Sequence, residues 1–185
     1  MKVVSYQFIG RAYMLCSMLR KQRRLPLIAV ALLLVGCATA PKNAEEFRQA
    51  MRSSPFKKVE SFEVARPFQD VSSTLRKKGN ECLARTVRWT ATSAKYFNTR
   101  SGVNTYKPTF VANANRAELH VQLKRSAVVE VGSPPDGFYR VVLDATPMAK
   151  DRTRIDMYAL SIDDNLIRKA MRGWVQGDNL GCPDL

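Results

Sequence analysis

The chain has one histidine in 185 residues, and that scarcity removes more chemistry than any other feature. A histidine-based triad would have to be built on His120 alone, and a zinc site falls short of the usual four ligands. No G-x-S-x-G elbow, P-loop or zinc-ligand spacing is present. Long apolar runs are also missing. A bilayer-spanning helix needs about 20 apolar residues, whereas the apolar run at residues 25–36 has 12. Acidic residues are outnumbered, 16 against 30 basic, for a net charge of +14.

What is there begins with that short run. Arg20, Lys21, Arg23 and Arg24 stand just before it, and it ends at Cys37, with Pro41 shortly after. A basic n-region followed by a short apolar core is the pattern of a secretory signal. The end of the core, Leu34-Val35-Gly36-Cys37, resembles the lipobox of bacterial lipoproteins. That resemblance implies cleavage before Cys37 and acylation of its thiol and amino group. It divides the chain into a signal over residues 1–36, a lipidated terminus and tether over 37–43, and one domain over 44–185. A signal of ordinary length would start at Met18. Position two after the lipid is Ala38, not the Asp that retains enteric lipoproteins at the inner membrane. The expectation is the periplasmic face of the outer membrane of a Gram-negative bacterium. Several acyl chains anchor firmly, at about 0.8 kcal/mol per buried CH₂.

The signal changes the meaning of the charge. Six of the 30 basic residues and none of the 16 acidic ones fall in residues 1–36, leaving 24 against 16 in residues 37–185. The remaining excess lies at Lys57-Lys58, Arg76-Lys77-Lys78, Lys124-Arg125, Arg152 with Arg154, and Arg168-Lys169-Arg172. A basic balance alone would suggest nucleic acid. Export removes that partner and leaves anionic lipid, a cell-wall polymer or a protein of the envelope. The plain alternative is a solvated basic surface.

Of the four cysteines, Cys16 lies in the signal and Cys37 is the lipid site. Cys82 and Cys182 remain, and an even pair in an oxidising compartment reads as a disulfide. No metal and no cofactor are expected.

Periodicity places the elements. Asn43 caps a short helix to about Arg52, with Glu45 and Glu46 in its first turn. A strand follows over residues 58–66, with Phe62 and Val64 on one face. A helix after Pro67 carries the stripe Val71, Leu75, Gly79, Cys82 and Leu83. Val87, Trp89 and Ala91 alternate with Thr86, Arg88 and Thr90, and Leu119, Val121 and Leu123 alternate likewise. A looser stretch over 96–113 reads as broken by a turn at Arg100-Ser101-Gly102. Strands over 138–146 and 152–160 flank a short connection over 147–151. Ser161-Ile162-Asp163-Asp164 has capping-box form, opening a helix with Ile162, Leu166, Ala170 and Trp174 on one face and Gly177 as its C-terminal cap.

The expected fold is α+β: an antiparallel meander of about five strands, with an amphipathic helix after the first strand and a long C-terminal helix packed on one face. This order resembles the helix-grip domains of some envelope lipoproteins, including those of the outer-membrane barrel assembly machine. His120 is expected to be an exposed sheet residue, and Trp89 and Trp174 to be core partners. Tyr96, Phe97, Tyr106 and Phe110 are candidates for a contact surface. The leading function is non-catalytic support of the envelope through protein contacts. The second is a module binding an apolar or lipid ligand between the sheet and the C-terminal helix. The third is an enzyme of unrecognised type.

Overall fold

The structure, a computed structural model, describes residues 40–54, 58–93, 98–126, 134–160 and 165–185. The chain divides into two compact units, Met1–Ala38 and Thr39–Leu185, and the described residues all belong to the second. The residues read as a signal and lipobox, with Cys37, lie outside the described residues, as do Tyr96, Phe97 and the Ser161–Asp164 stretch read as a capping box.

In chain order the elements are α1 (Ala44–Ser53), β1 (Lys58–Val64), α2 (Phe68–Lys78), a π-helical turn (Gly79–Leu83), β2 (Arg85–Ser93), β3 (Asn98–Ala112), β4 (Ala117–Arg125), β5 (Phe138–Ala149), β6 (Arg152–Ala159) and α3 (Asn165–Gln176). The strands form one antiparallel sheet in the order β1-β6-β5-β4-β3-β2. Strands β2 to β6 run as a meander. β1 joins beside β6, so that β1 and β2 are the two edges.

One face of the sheet is sealed by α2, the π turn and α3. Val71, Leu75 and Leu83 from the first helical segment, and Met171, Trp174 and Val175 from α3, are fully buried. They meet Leu119, Val121, Val141, Leu143, Ile155 and Met157 of the sheet, which are also at 0% exposure. A side chain unreachable by a water-sized probe has no water-sized void beside it, so the layer is dry and filled at these positions. Each such side chain contributes about 1.5–3 kcal/mol relative to exposure. Gly79 lets the π turn approach: a Cβ there would stand 2.8 Å from Leu119 Cδ1.

The C-terminal helix is fixed at its end. Gly177 adopts φ +89°, which favours glycine, and Asp178 N–H reaches back to Gly173 O at 2.9 Å. Arg66 donates to the Trp174 and Val175 carbonyls at 2.8 and 3.1 Å, placing a cation on the negative end of the helix dipole. The tail then returns to the domain, with Leu185 packed against the core.

Several expectations are corrected. The sheet has six strands, not about five. The stretch over 96–113 contains no turn at Arg100-Ser101-Gly102, because Asn98–Ala112 is one continuous strand. Gly102 sits in ordinary register opposite Trp89. α2 and α3 share one face as expected, but α1 packs on the other side, through Phe47 and Met51 against Tyr139, Val142 and Tyr158. Leu166 is 52% exposed, since the buried stripe of α3 runs through Ile167, Ala170, Met171 and Trp174. Trp174 is in the core, but Trp89 lies half-buried outside it.

Candidate functional site

Titratable groups converge beneath α1. Asn43 caps this helix, its Oδ1 accepting from Glu46 N–H at 2.8 Å. Arg48 falls one turn later on the inward face, where the guanidinium is buried against the sheet. It donates to Asp144 of β5 through Nε and Nη2, both at 2.8 Å, and to Glu118 of β4. Arg116 also donates to Asp144 at 2.8 Å and to Glu118 at 3.3 Å. Glu118 Oε1 is 2.9 Å from His120 Nδ1, and the imidazole lies 5.2 Å from the Tyr139 ring.

His120 is thus 8% exposed rather than an open sheet residue, because α1 lands on the face that alternation assigns to solvent. Burial raises the pKa of Glu118, but hydrogen bonds from His120 and Arg48 outweigh it and hold the carboxyl at about 2. Burial also disfavours the charge on Arg48, and Asp144 and Glu118 more than restore it, so its pKa rises. Asp144 is committed to the two arginines, and Glu118 to the arginines through one oxygen and to His120 through the other. The arrangement does what a clamp does: it pins the first helix of the domain to the middle of the sheet. Tyr139 is pushed up by burial, which keeps it neutral.

A second feature lies at the far edge. β3 extends beyond β4, so that Trp89–Ser93 and Asn98–Gly102 pair only with each other among the described residues. We call the β2–β3 side of the sheet, with this overhang, the wing. Its helix-side face carries Val87, Trp89, Tyr106 and Phe110, all half-buried. Tyr106 and Phe110 pack against the border of the core, and Arg76 stands 5.1 Å above the Phe110 ring. Asn104 Oδ1, on the same face, is buried without a hydrogen-bond partner. The other face is rich in threonine, with Thr86 opposite Thr105 and Thr92 opposite Thr99.

Neither strand of the wing has an acidic residue, although Lys107 is paired with Asp136 and Arg116 with Glu118 and Asp144. From Cys82 to Ala117 the sequence has Arg85, Arg88, Lys95, Arg100, Lys107 and Arg116 and no acidic residue. Reading basic residues as pairs and runs misses this signal, because they are spread singly through strands. What marks the stretch is the missing acid.

Of the residues expected from sequence, Cys82 and Cys182 are brought to disulfide distance, with Cα atoms 4.9 Å apart across a separation of 100. Cys82 is on the π turn in the core, and Cys182 is on the returning tail. The basic runs of α2 and α3 stay apart from the charge network. Arg168 and Arg172 are taken up by Glu60 of β1. An open depression of about 450 Å³ along α2 is lined by Ser72, Ser73, Arg76 and Lys77, among others. No group of three or more metal-ligating side chains is assembled among the described residues, and no described helix is long and apolar enough to cross a membrane.

No family model and no curated protein matches the chain. Among solved structures, hypothetical protein jhp0584 from Helicobacter pylori aligns over 70% of this chain and 90% of its own, at 13% identity and a TM-score of 0.37. Protein MLL2253 from Mesorhizobium loti aligns over 65% and 87%, at 12% identity and a TM-score of 0.27. The di-domain aromatase/cyclase StfQ of steffimycin biosynthesis aligns over 67% and 43%, at 10% identity and a TM-score of 0.26. This chain is similar to each only at that level, which carries no assignment of function.

Proposed function

We propose that the chain is a lipid-anchored envelope protein whose domain is a non-catalytic binding module working from the β2–β3 wing. The observation that carries the binding part is the wing itself: half-buried Val87, Trp89 and Tyr106 on an acid-free, cationic end of the sheet. Aromatic and cationic side chains left together at a surface are the composition of contact sites rather than of solvated faces. The anchoring part is supported by the lipobox at Cys37 and by the short chain between it and α1. At about 3.5 Å per residue, that tether holds α1 close to the lipid. The α1 clamp is then the joint through which the anchor bears on the sheet.

The test is fractionation of cells carrying the wild type and Cys37→Ala. The wild type should stay with membranes through salt and carbonate washes, and the variant should become soluble. A variant retained as firmly as the wild type would remove the anchor.

A second reading, an apolar or lipid ligand between the sheet and α3, is favoured by one atom. Trp174 Nε1 is buried in that layer without an acceptor. A buried unsatisfied donor costs about 1–3 kcal/mol, and a ligand reaching it as α3 lifts would relieve this. The helix-grip-like order of elements fits the same reading. Organic extraction of the purified full chain, followed by mass spectrometry, would reveal a carried lipid. An empty extract argues against this reading.

A further inference from the structure

The outer edge of β2 has a definite hydrogen-bonding polarity. Val103 of β3 turns both its N–H and its C=O away from β2: the carbonyl accepts from Ser126 N–H at 2.9 Å, and the N–H donates to Ser126 Oγ at 3.0 Å. Val103 is opposite Arg88, so this pair of residues exchanges no ladder bonds. The backbone groups of Arg88 therefore point out of the sheet. By the two-residue period, those of Thr86, Thr90 and Thr92 do the same. Val87, Trp89 and Ala91 bond inward to β3. Among the described residues no strand pairs with that outer edge. The edge contains no proline and no register shift, which are two of the devices that blunt sheet edges.

We propose that β2 accepts an extended segment of a partner protein as an added antiparallel strand, and that this segment alternates acidic and apolar residues. The proposal deepens the binding-module reading and rests on it. Each half of the pattern follows from the register. Residues opposite Thr86, Arg88 and Thr90 share the face that carries Arg88 and, two strands in, Lys124. An acidic side chain there meets Arg88, and no carboxylate on β2 or β3 stands beside it. Residues opposite Val87, Trp89 and Ala91 lie on the helix-side face, where an apolar side chain extends the half-buried patch. A second copy of this chain is disfavoured, because it would bring the acid-free wing against itself. Antiparallel addition continues a sheet in which every ladder is antiparallel.

The experiment uses the full chain in detergent and a fluorescent peptide of alternating glutamate and valine, matched to β2 in length and read by anisotropy. In antiparallel addition the peptide residues facing Arg88 turn their N–H groups towards β2, and these are the glutamates. N-methylation of the glutamates should weaken binding by about tenfold or more, and N-methylation of the valines should be tolerated. Arg88→Glu should weaken the unmodified peptide to a similar degree. Equal binding of all three peptides would overturn the proposal. So would displacement by phosphatidylglycerol vesicles together with indifference to N-methylation, which would make the wing a lipid-facing surface. Cys37→Ala should bind the peptide as the wild type does, so failure of the anchor and failure of the docking edge give different results.

Discussion

Arg48 and Asp144, 96 residues apart in sequence, join α1 to β5 through two parallel hydrogen bonds of 2.8 Å each. The pair is buried on both sides, with side-chain exposures of 5% and 8%. Removing Arg48 leaves Asp144 with only the partly exposed Arg116, a loss below that of a fully unpaired buried charge and of about 1–3 kcal/mol. Arg48→Ala should therefore lower denaturant stability by an amount in that range. Arg48→Ala combined with Asp144→Ala should cost less than the two single losses added. Strict additivity in that double-mutant cycle would mean that the two groups do not act together.

Acid tests the same network through Glu118. Its folded-state pKa, about 2, lies below the ordinary value of 4.5. A depressed carboxylate contributes stability that is fully present above the unfolded-state value and is lost as pH falls through the folded one. Stability should decline between about pH 5 and pH 2 as Glu118 takes up its proton. Glu118→Gln should be less stable at pH 7 and show a shallower decline across that window. An unchanged profile in the variant would show that other carboxylates govern acid unfolding.

The Cys82–Cys182 pair carries a prediction about the chain ends. A bridge closing a loop of about 100 residues is worth up to about 4.7 kcal/mol in the chain-entropy account. Cys182→Ser should lower the denaturant midpoint, and the wild type under reductant should match it. On non-reducing gels the unfolded wild type should run ahead of the variant. Identical mobility would mean that the cysteines, though adjacent, remain thiols.

Parts of this architecture are legible residue by residue, and the reasons for the rest are physical. Leu119, Val121 and Leu123 declare a sheet face because a two-residue period needs no knowledge of distant chain. The same logic assigns His120 and Gln122 to solvent, and there it fails: His120 is held by Glu118 and the Tyr139 ring beside the Arg48–Asp144 pair, and Gln122 donates to Gly137 O, partners that no local pattern connects to them. The stripe Val71, Leu75, Cys82 and Leu83 is readable as helical, but not the π turn that ends it, since Gly79 widens there to meet Leu119. Gly102 looks like a turn residue in isolation and becomes strand once Trp89 lies across from it. Of the candidate site, the apolar alternation of β2 was visible. The outward direction of its hydrogen bonds was not, because it depends on where Ser126 meets Val103.

The central claim is that β2 offers an open, polarised edge, and amide hydrogen exchange of the full chain in detergent measures this directly. Exchange should alternate along β2, with the Thr86, Arg88, Thr90 and Thr92 amides fast and the Val87, Trp89 and Ala91 amides slow. Addition of the glutamate–valine peptide should slow the fast set. If all the β2 amides are already protected in the free protein, the edge is covered, and the wing is not the working surface of this chain.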